Sequence, residues 1–457
     1  MNNGVPKGIF IILAFVCFLS VPLQAQTKAD DKPPIIIIPG LTGSELINPE
    51  TGKVVWFRRQ RPKGDDLRLP ISPNIALNRD SLVVGDIIRN VKVIRFLPDT
   101  EIYERLIDAL QKRGGYREVK WYAATKEDYK ATFYIFPYDW RLDNVENARL
   151  LVQRVEALKR RLGKPNLKFN IIAHSMGGLI ARYAAMYGNA DLPAGNAQPK
   201  PSLAGAKHFD RIFLLGTPNE GSARALNALL NGYSIFGNLN LPFIQNLSKF
   251  DTFTIPSAYQ LLPFDGSVKA FDENLQPISI DLYDPKTWDE YGWSAYLDEG
   301  FSKKFTPEEQ EAARSYLSAV LDRARRFHQA LNAGISRKNA VSFYLIGSDC
   351  KDTLDGFILV RDAKKNRWRT IFDASSFERA DGTKVTSEEI RKILYAPGDG
   401  VVPKRSLTVE TLSAQNKQIL PVESDIFLCE GHTKLVSSAE VQDRIFKLLF
   451  GTTTPEP

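Results

Sequence analysis

Cysteine is scarce in this chain. Three occur in 457 residues, and one of them, Cys17, lies in a leader-like N-terminus. So few, in so long a chain, exclude a small module stapled by disulfides. Charge of one sign is lacking too. Sixty Lys and Arg against 53 Asp and Glu leave +7. This mild, dispersed excess suits an anionic membrane surface and gives no basic stripe for nucleic acid, so no nucleic-acid partner is expected. Past the N-terminus no apolar run is long enough to cross a bilayer. There is no internal repeat, and histidine is limited to four positions, His174, His208, His328 and His432.

What remains is ordinary globular composition, 43% hydrophobic and 25% charged, in a chain long enough for one large domain with insertions or for two domains. The first residues, "MNNGVPKGIFIILAFVCFLSVPLQAQ", carry Lys7, an apolar run from Ile9 to about Val21, and the small residue Ala25. This pattern reads as a signal peptide spanning 1–25, and a secreted or periplasmic location is expected. The alternative is a retained anchor, for which the run is short. Val16 before Cys17 argues against a lipoprotein site. Cys350 and Cys429 remain after cleavage; they could pair in an oxidising compartment or be two separate buried thiols.

Five short runs are continuously apolar: Pro33–Gly40, Ala131–Trp140, Phe169–Ser175, Asp210–Pro218 and Ala340–Ser348. Lack of alternation suits parallel strands covered on both faces. Helical stripes lie between them. One carries Ile102, Leu106, Ile107 and Leu110 and stops at Gly114–Gly115. Another carries Val145, Ala148, Val152, Val155 and Leu162, with Asp143 as cap and Gly163 and Pro165 closing it. The alternation predicts a doubly wound α/β fold with a mostly parallel sheet. The first part of this core spans 33–221, with a turn-rich insertion over 44–100. An aromatic-rich cap or lid spans 222–339, with Phe236, Phe243, Phe250, Trp288 and Trp293, and ends in a charged helix near Thr306–Asn332. The second part spans 340–450, where Phe357–Phe372 reads as a hairpin.

The stretch "FNIIAHSMGGL", Phe169 to Leu179, concentrates the chemistry. A serine between strand and helix, with small residues two places either side, is the nucleophile-elbow pattern. It reads Ala173-His174-Ser175-Met176-Gly177, with Ala where Gly is usual. A hydroxyl needs a base, and the base needs a carboxylate to fix its tautomer. His174 adjoins the serine and should point away from it. His208 precedes a strand and His328 sits in the charged helix. His432, in "LCEGHTKLV" after a late strand, is the natural base, and Asp399 in "YAPGDGVVP" the natural acid, with Asp349 and Asp425 as substitutes. The order Ser175, Asp399, His432 is that of α/β-hydrolases. The Met176 N–H is one candidate oxyanion donor. The Leu41 N–H, after the "IIIIPG" strand, is the other; such a donor is worth ~3 kcal/mol.

Together "PPIIIIPGLTGSEL", "YDWR", "AHSMGGLIARY", "GTPNEGS", "GDGVVP" and "GHTKLV" resemble the lecithin:cholesterol acyltransferase-like lipases, a family that includes lysosomal-type phospholipase A2 and bacterial relatives. The resemblance implies an α/β-hydrolase fold, an interfacial cap, and acyl transfer from a lipid ester through an acyl-serine to water or an alcohol. It also implies that Tyr138 and Trp140, with Asp139 and Arg141, shape the site wall. Tyr259 and Gln260 are candidates for the acyl site or for a packed cap helix. No cysteine lies between Gly40 and Tyr103, so the family's lid disulfide has no counterpart. No cofactor and no metal are expected. The partner is a lipid ester with transient membrane contact; Trp56–Phe57 followed by Arg58, Arg59, Arg61 and Lys63 suits such an interface, or is a partly buried tryptophan beside a basic loop. The competing functions are an esterase or amidase on non-lipid substrates and a binding protein on a hydrolase scaffold.

Overall fold

The computed structural model describes Met1 and residues 32–58, 67–91, 100–195, 197–234, 245–335, 341–362, 366–414 and 419–451. The leader past Met1, Arg59, Arg61, Lys63, Phe236 and Phe243 lie outside the described residues.

Seven strands build the central sheet. They are β1 (Ile35–Ile38), β2 (Arg117–Glu118), β3 (Thr132–Ile135), β4 (Phe169–His174), β5 (Phe209–Leu215), β6 (Ser342–Gly347) and β7 (Val422–Phe427), in the order β7-β6-β5-β4-β1-β3-β2. Every pairing is parallel. This is the parallel α/β sheet expected from the unbroken apolar runs, in the α/β-hydrolase form that the family resemblance implies. In β1, Ile36 and Ile38 enter one hydrophobic core while Ile35 and Ile37 enter the core on the opposite face. A strand buried on both sides has no polar face to display.

Helices follow the strands and cover the sheet. Helix α1 (Asn144–Leu162) starts where the Asp143 carboxylate accepts hydrogen bonds from the Val145 and Glu146 amides, and ends at Gly163 in the left-handed conformation. Helix α2 (Met176–Tyr187) begins directly after β4, and every one of its residues is buried. The chain runs from β1 to β3 on one side, but β4 lies on the other side of β1. The carboxyl ends of β1 and β4 therefore flank a topological switch point, where ligand sites collect in such sheets.

The 44–100 region holds a three-stranded antiparallel sheet, Ser44–Asn48 with Lys53–Trp56 and Val83–Ile87. Trp56 is fully buried, donates its indole N–H to the Thr42 carbonyl at 2.9 Å, and packs on Trp140. The membrane reading of Trp56 is thus corrected: its ring is core, not interface. Past the sheet, helix α3 (Ala223–Asn231) and the long α4 (Pro307–Leu331), capped by Thr306, belong to the region between β5 and β6. An accessory sheet joins that region to the later hairpin. Strands Ala270–Phe271 and Pro277–Ile278 extend the antiparallel pair Phe357–Asp362 and Arg367–Ile371. The chain closes with α5 (Ala439–Phe450). No described helix is long and apolar enough to cross a membrane.

Candidate active site

Ser175 stands at the sharp bend between β4 and α2 with φ 53° and ψ −125°. A non-glycine residue there is strained, and such strain collects at functional turns. The two glycines that follow make the bend possible. A Cβ on Gly177 would sit 2.4 Å from the Pro39 carbonyl oxygen, and one on Gly178 only 2.0 Å from Thr217 Oγ1. The end of β1 and the turn after β5 press directly on the elbow, so no side chain fits.

The partners come from far down the chain. His432 Nε2 lies 2.9 Å from Ser175 Oγ, and His432 Nδ1 lies 2.7 Å from Asp399 Oδ2. The carboxylate accepts a hydrogen bond from Nδ1–H, so Nε2 carries the lone pair and accepts from the serine hydroxyl. The other carboxylate oxygen, Asp399 Oδ1, accepts the backbone N–H groups of Val401 at 2.9 Å and Val402 at 2.7 Å. Burial pushes the Asp399 carboxyl up. The facing His432 ring and those amides outweigh burial and hold it below the ordinary carboxylate range. Gly216, in "GTP", leaves room for this pair: a Cβ there would lie 2.9 Å from Asp399 Oδ2 and 3.0 Å from His432 Nδ1. The substitutes sit elsewhere. Asp349 pairs with Lys404 at 3.2 Å, and Asp425 is exposed on β7.

Cys350 and Cys429 are bonded. The bridge ties the start of strand Lys351–Leu354, which pairs with the strand ending at Gly398, to the loop that presents His432. The segments that carry Asp399 and His432 are thus strapped to one another.

The loop after β1 faces the elbow. Among the described residues neither the Leu41 nor the Met176 N–H makes a hydrogen bond within the protein, so both donors are free for an oxyanion. Tyr138, Trp140 and Tyr259, expected on the wall, are fully buried behind it. The Tyr138 hydroxyl donates to the Pro39 carbonyl at 2.9 Å, and the Trp140 indole to the Ser44 carbonyl at 3.2 Å. They grip the two ends of the Leu41 loop rather than touch the cavity. Arg141 pairs with Asp80 and Asp139 beneath them. Tyr259 donates to the Phe253 carbonyl and stacks near Trp288, while Gln260 braces the start of α1 through the Asn144 amide. Large aromatics with a polar tip satisfy that tip wherever the core allows, and here backbone carbonyls were nearer than the cavity.

Tyr103 and His174 are part of the site that sequence reasoning missed. The Gly40 amide donates to the Tyr103 oxygen at 2.9 Å, and Tyr103 lies 2.9 Å from His174 Nδ1. His174 Nε2 lies 3.1 Å from the His432 carbonyl. That carbonyl can only accept, so Nε2 carries the proton and Nδ1 accepts from the tyrosine hydroxyl. His174 does not stand clear of the site as expected. Its ring sits 4.9 Å from that of His432, and its bonds join the oxyanion loop to the loop of the base. Nothing local marks Tyr103, 71 residues from His174.

Burial, and then the neighbouring His432, push the His174 ring down to about 3; burial, and then Arg182, do the same to His328. Unfolded, both rings take a proton near 6.5, so the unfolded state binds more protons between pH 6.5 and about 3. Stability therefore falls as pH falls through that window. Between pH 7 and 5 each ring removes about 2 kcal/mol. Urea midpoints at the two values measure this, and equal midpoints would contradict it.

The cavity at Ser175 has a volume of about 220 Å³, with apolar walls from Leu41, Ile88, Ile102, Ala225, Ala228 and Leu261. The family model for lecithin:cholesterol acyltransferase matches residues 100–305, somewhat under half of the chain. Over those residues the chain is similar to the lecithin:cholesterol acyltransferase family. It stands with hydrolases and acyltransferases of lipid esters, as an enzyme of the esterase or lipase kind. A chain of the Tle4–Tli4 complex shares the fold of this protein at TM-score 0.52 and 14% identity, covering 92% of this chain and 98% of that one. Bacillus licheniformis lipase BlEst2 in its mature form is a looser likeness, with TM-score 0.34, 12% identity and 92% of each chain covered. No curated protein matches by sequence.

Proposed function

We propose that this chain is a serine-dependent lipid acyl hydrolase or acyltransferase working through an acyl-serine. The observation that carries this is the 2.9 Å approach of His432 Nε2 to Ser175 Oγ, with Asp399 behind the ring. An ester carbonyl carbon placed above Oγ is attacked as the hydroxyl proton passes to Nε2. The carbonyl oxygen becomes an anion facing the Leu41 and Met176 amides, which favour the transition state over the ground state. Collapse breaks the C–O bond to the alcohol, which leaves with the proton from Nε2, and the acyl group stays on Ser175. Water or a second alcohol then gives its proton to Nε2, attacks the acyl carbon, and releases acid or new ester with the proton returned to Oγ. The apolar walls fit an acyl chain.

The protein acts outside the cytoplasm in this reading, exported by the 1–25 leader. The Cys350–Cys429 bond supports an oxidising compartment.

Protein recovered from the exported fraction is expected to begin at Gln26 by intact mass and to hydrolyse p-nitrophenyl esters of medium and long chain. Strict preference for acetyl would remove the lipid reading and leave a small-ester hydrolase. A mass starting at Met1 would remove the cleaved leader.

A further inference from the structure

Tyr103 and His174 are buried, and neither belongs to the triad. Yet their bonds form one line across the site. The Gly40 amide donates to the Tyr103 oxygen at 2.9 Å, and the Tyr103 hydroxyl donates to His174 Nδ1 at 2.9 Å. His174 Nε2–H donates to the His432 carbonyl at 3.1 Å, and the His432 amide donates to the Asp399 carbonyl at 2.9 Å. Every donor points the same way. The ends dictate this, because an amide N–H cannot accept and a carbonyl cannot donate. Bonds aligned in one sense strengthen one another away from water. Burial also keeps both links in the form the line needs. It pushes the Tyr103 phenol up, so the hydroxyl keeps its proton, and pushes the His174 ring down, so Nδ1 keeps its lone pair.

The line starts on the loop of the proposed oxyanion donor. That loop turns from Gly40 to Gly43, whose amide donates to the Gly40 carbonyl at 3.1 Å, and it carries Thr42 at φ 61°. A threonine in that conformation is strained, so the surroundings must hold the turn in shape. Tyr138, Trp56 and Trp140 grip the carbonyls of Pro39, Thr42 and Ser44. Tyr103 instead accepts from the amide that precedes Leu41, and its bond runs on to the loop of the base. An oxyanion donor acts only when aimed in advance, to within about half an ångström.

We infer that Tyr103 and His174 are positioning residues for the reaction: their line of bonds fixes the Leu41 amide relative to the loop of His432, so that oxyanion donor and base address one carbonyl together. The inference rests on the reading of Ser175 as nucleophile and of the Leu41 amide as oxyanion donor. Without the tyrosine hydroxyl the buried Gly40 amide has no acceptor, and the loop turns to find one. The loss then falls on the anion of the transition state rather than on binding of the ester.

The test compares p-nitrophenyl butyrate with its thionoester, in which sulfur replaces the carbonyl oxygen. Sulfur is a weak acceptor. The ratio of kcat/KM for ester over thionoester therefore reads the oxyanion donors, whereas damage to the fold or to the base lowers both substrates together. The wild type should favour the ester. Tyr103→Phe keeps the ring and removes one oxygen. It should lower kcat/KM for the ester by roughly tenfold to a hundredfold, part of what one such donor supplies. The ratio should fall by a similar factor, with KM for the ester nearly unchanged. His174→Gln, whose amide can accept from Tyr103 and donate to the His432 carbonyl, should retain part of the ratio that His174→Leu loses. Because both substitutions cut one line, Tyr103→Phe combined with His174→Leu should cost no more than the worse of the two. A wild type without preference for the ester, a ratio unchanged in Tyr103→Phe, or effects that simply multiply in the double variant would each overturn the inference. Should His174→Leu fail to fold, Tyr103→Phe decides alone. Fluorophosphonate labelling of Ser175, carried to completion, separates this failure from that of the nucleophile reading. A Tyr103→Phe protein that labels but keeps its ratio loses only the positioning role.

Discussion

Ser175→Ala is expected to lower kcat by about 10⁴–10⁶ and to leave the fold intact. The side chain lost is one hydroxyl with one named bond, to His432 Nε2. Alanine carries the same Cβ, so it meets the same strain at φ 53° and the same walls. The backbone bonds of the bend, from the Ser175 amide to the Leu215 carbonyl and from the Gly178 amide to the Ser175 carbonyl, are unaffected. The free Leu41 and Met176 amides survive and can polarise a bound ester for attack by water, which sets the floor of the residual rate. Steady-state kinetics with circular dichroism measures both halves. Activity within tenfold of the wild type, in a protein that folds, would remove Ser175 from the reaction.

Asp399→Asn is expected to cost about 10⁴ in kcat with little change in KM. Asparagine fills the same volume. With its carboxamide oxygen turned to the Val401 and Val402 amides, its NH₂ group faces His432 Nδ1. An NH₂ donor requires Nδ1 to be the unprotonated nitrogen. The proton then moves to Nε2, which can no longer accept from Ser175. Turning the amide over restores the ring but points NH₂ at two N–H donors now 2.9 and 2.7 Å away. Neither orientation satisfies both sides, so stability drops as well, by about 1–3 kcal/mol for the unmet bonds. Single-turnover kinetics would separate slow acylation from weak binding. Unchanged acylation would show that the carboxylate does not orient the base.

The sheet was legible because its strands are unusual. Four isoleucines in a row, Ile35–Ile38, fit nothing but a strand covered twice, and the two cores they enter bear this out. The elbow was legible because close packing leaves a trace in residue size: Gly177 and Gly178 are small where β1 and Thr217 press on them. His432 emerged by elimination in a chain poor in histidine. Other features left no such trace. A motif such as "YDWR" states that residues occur together, not which way they face; Tyr138 and Trp140 turned inward to bind Pro39 and Ser44. Trp56 beside arginines has the composition of an interface, but its indole found the Thr42 carbonyl inside. Tyr103 matters through a neighbour distant in sequence, His174, and residue type alone carries no record of that.

The proposed nucleophile and oxyanion donors all lie before residue 177, whereas the imidazole that meets Ser175 arrives only on the loop after β7. A ribosome releasing this polypeptide has made more than nine-tenths of it before the last reacting group exists. On the proposed function, a fragment ending short of His432 lacks its base and is expected to leave lipid esters intact.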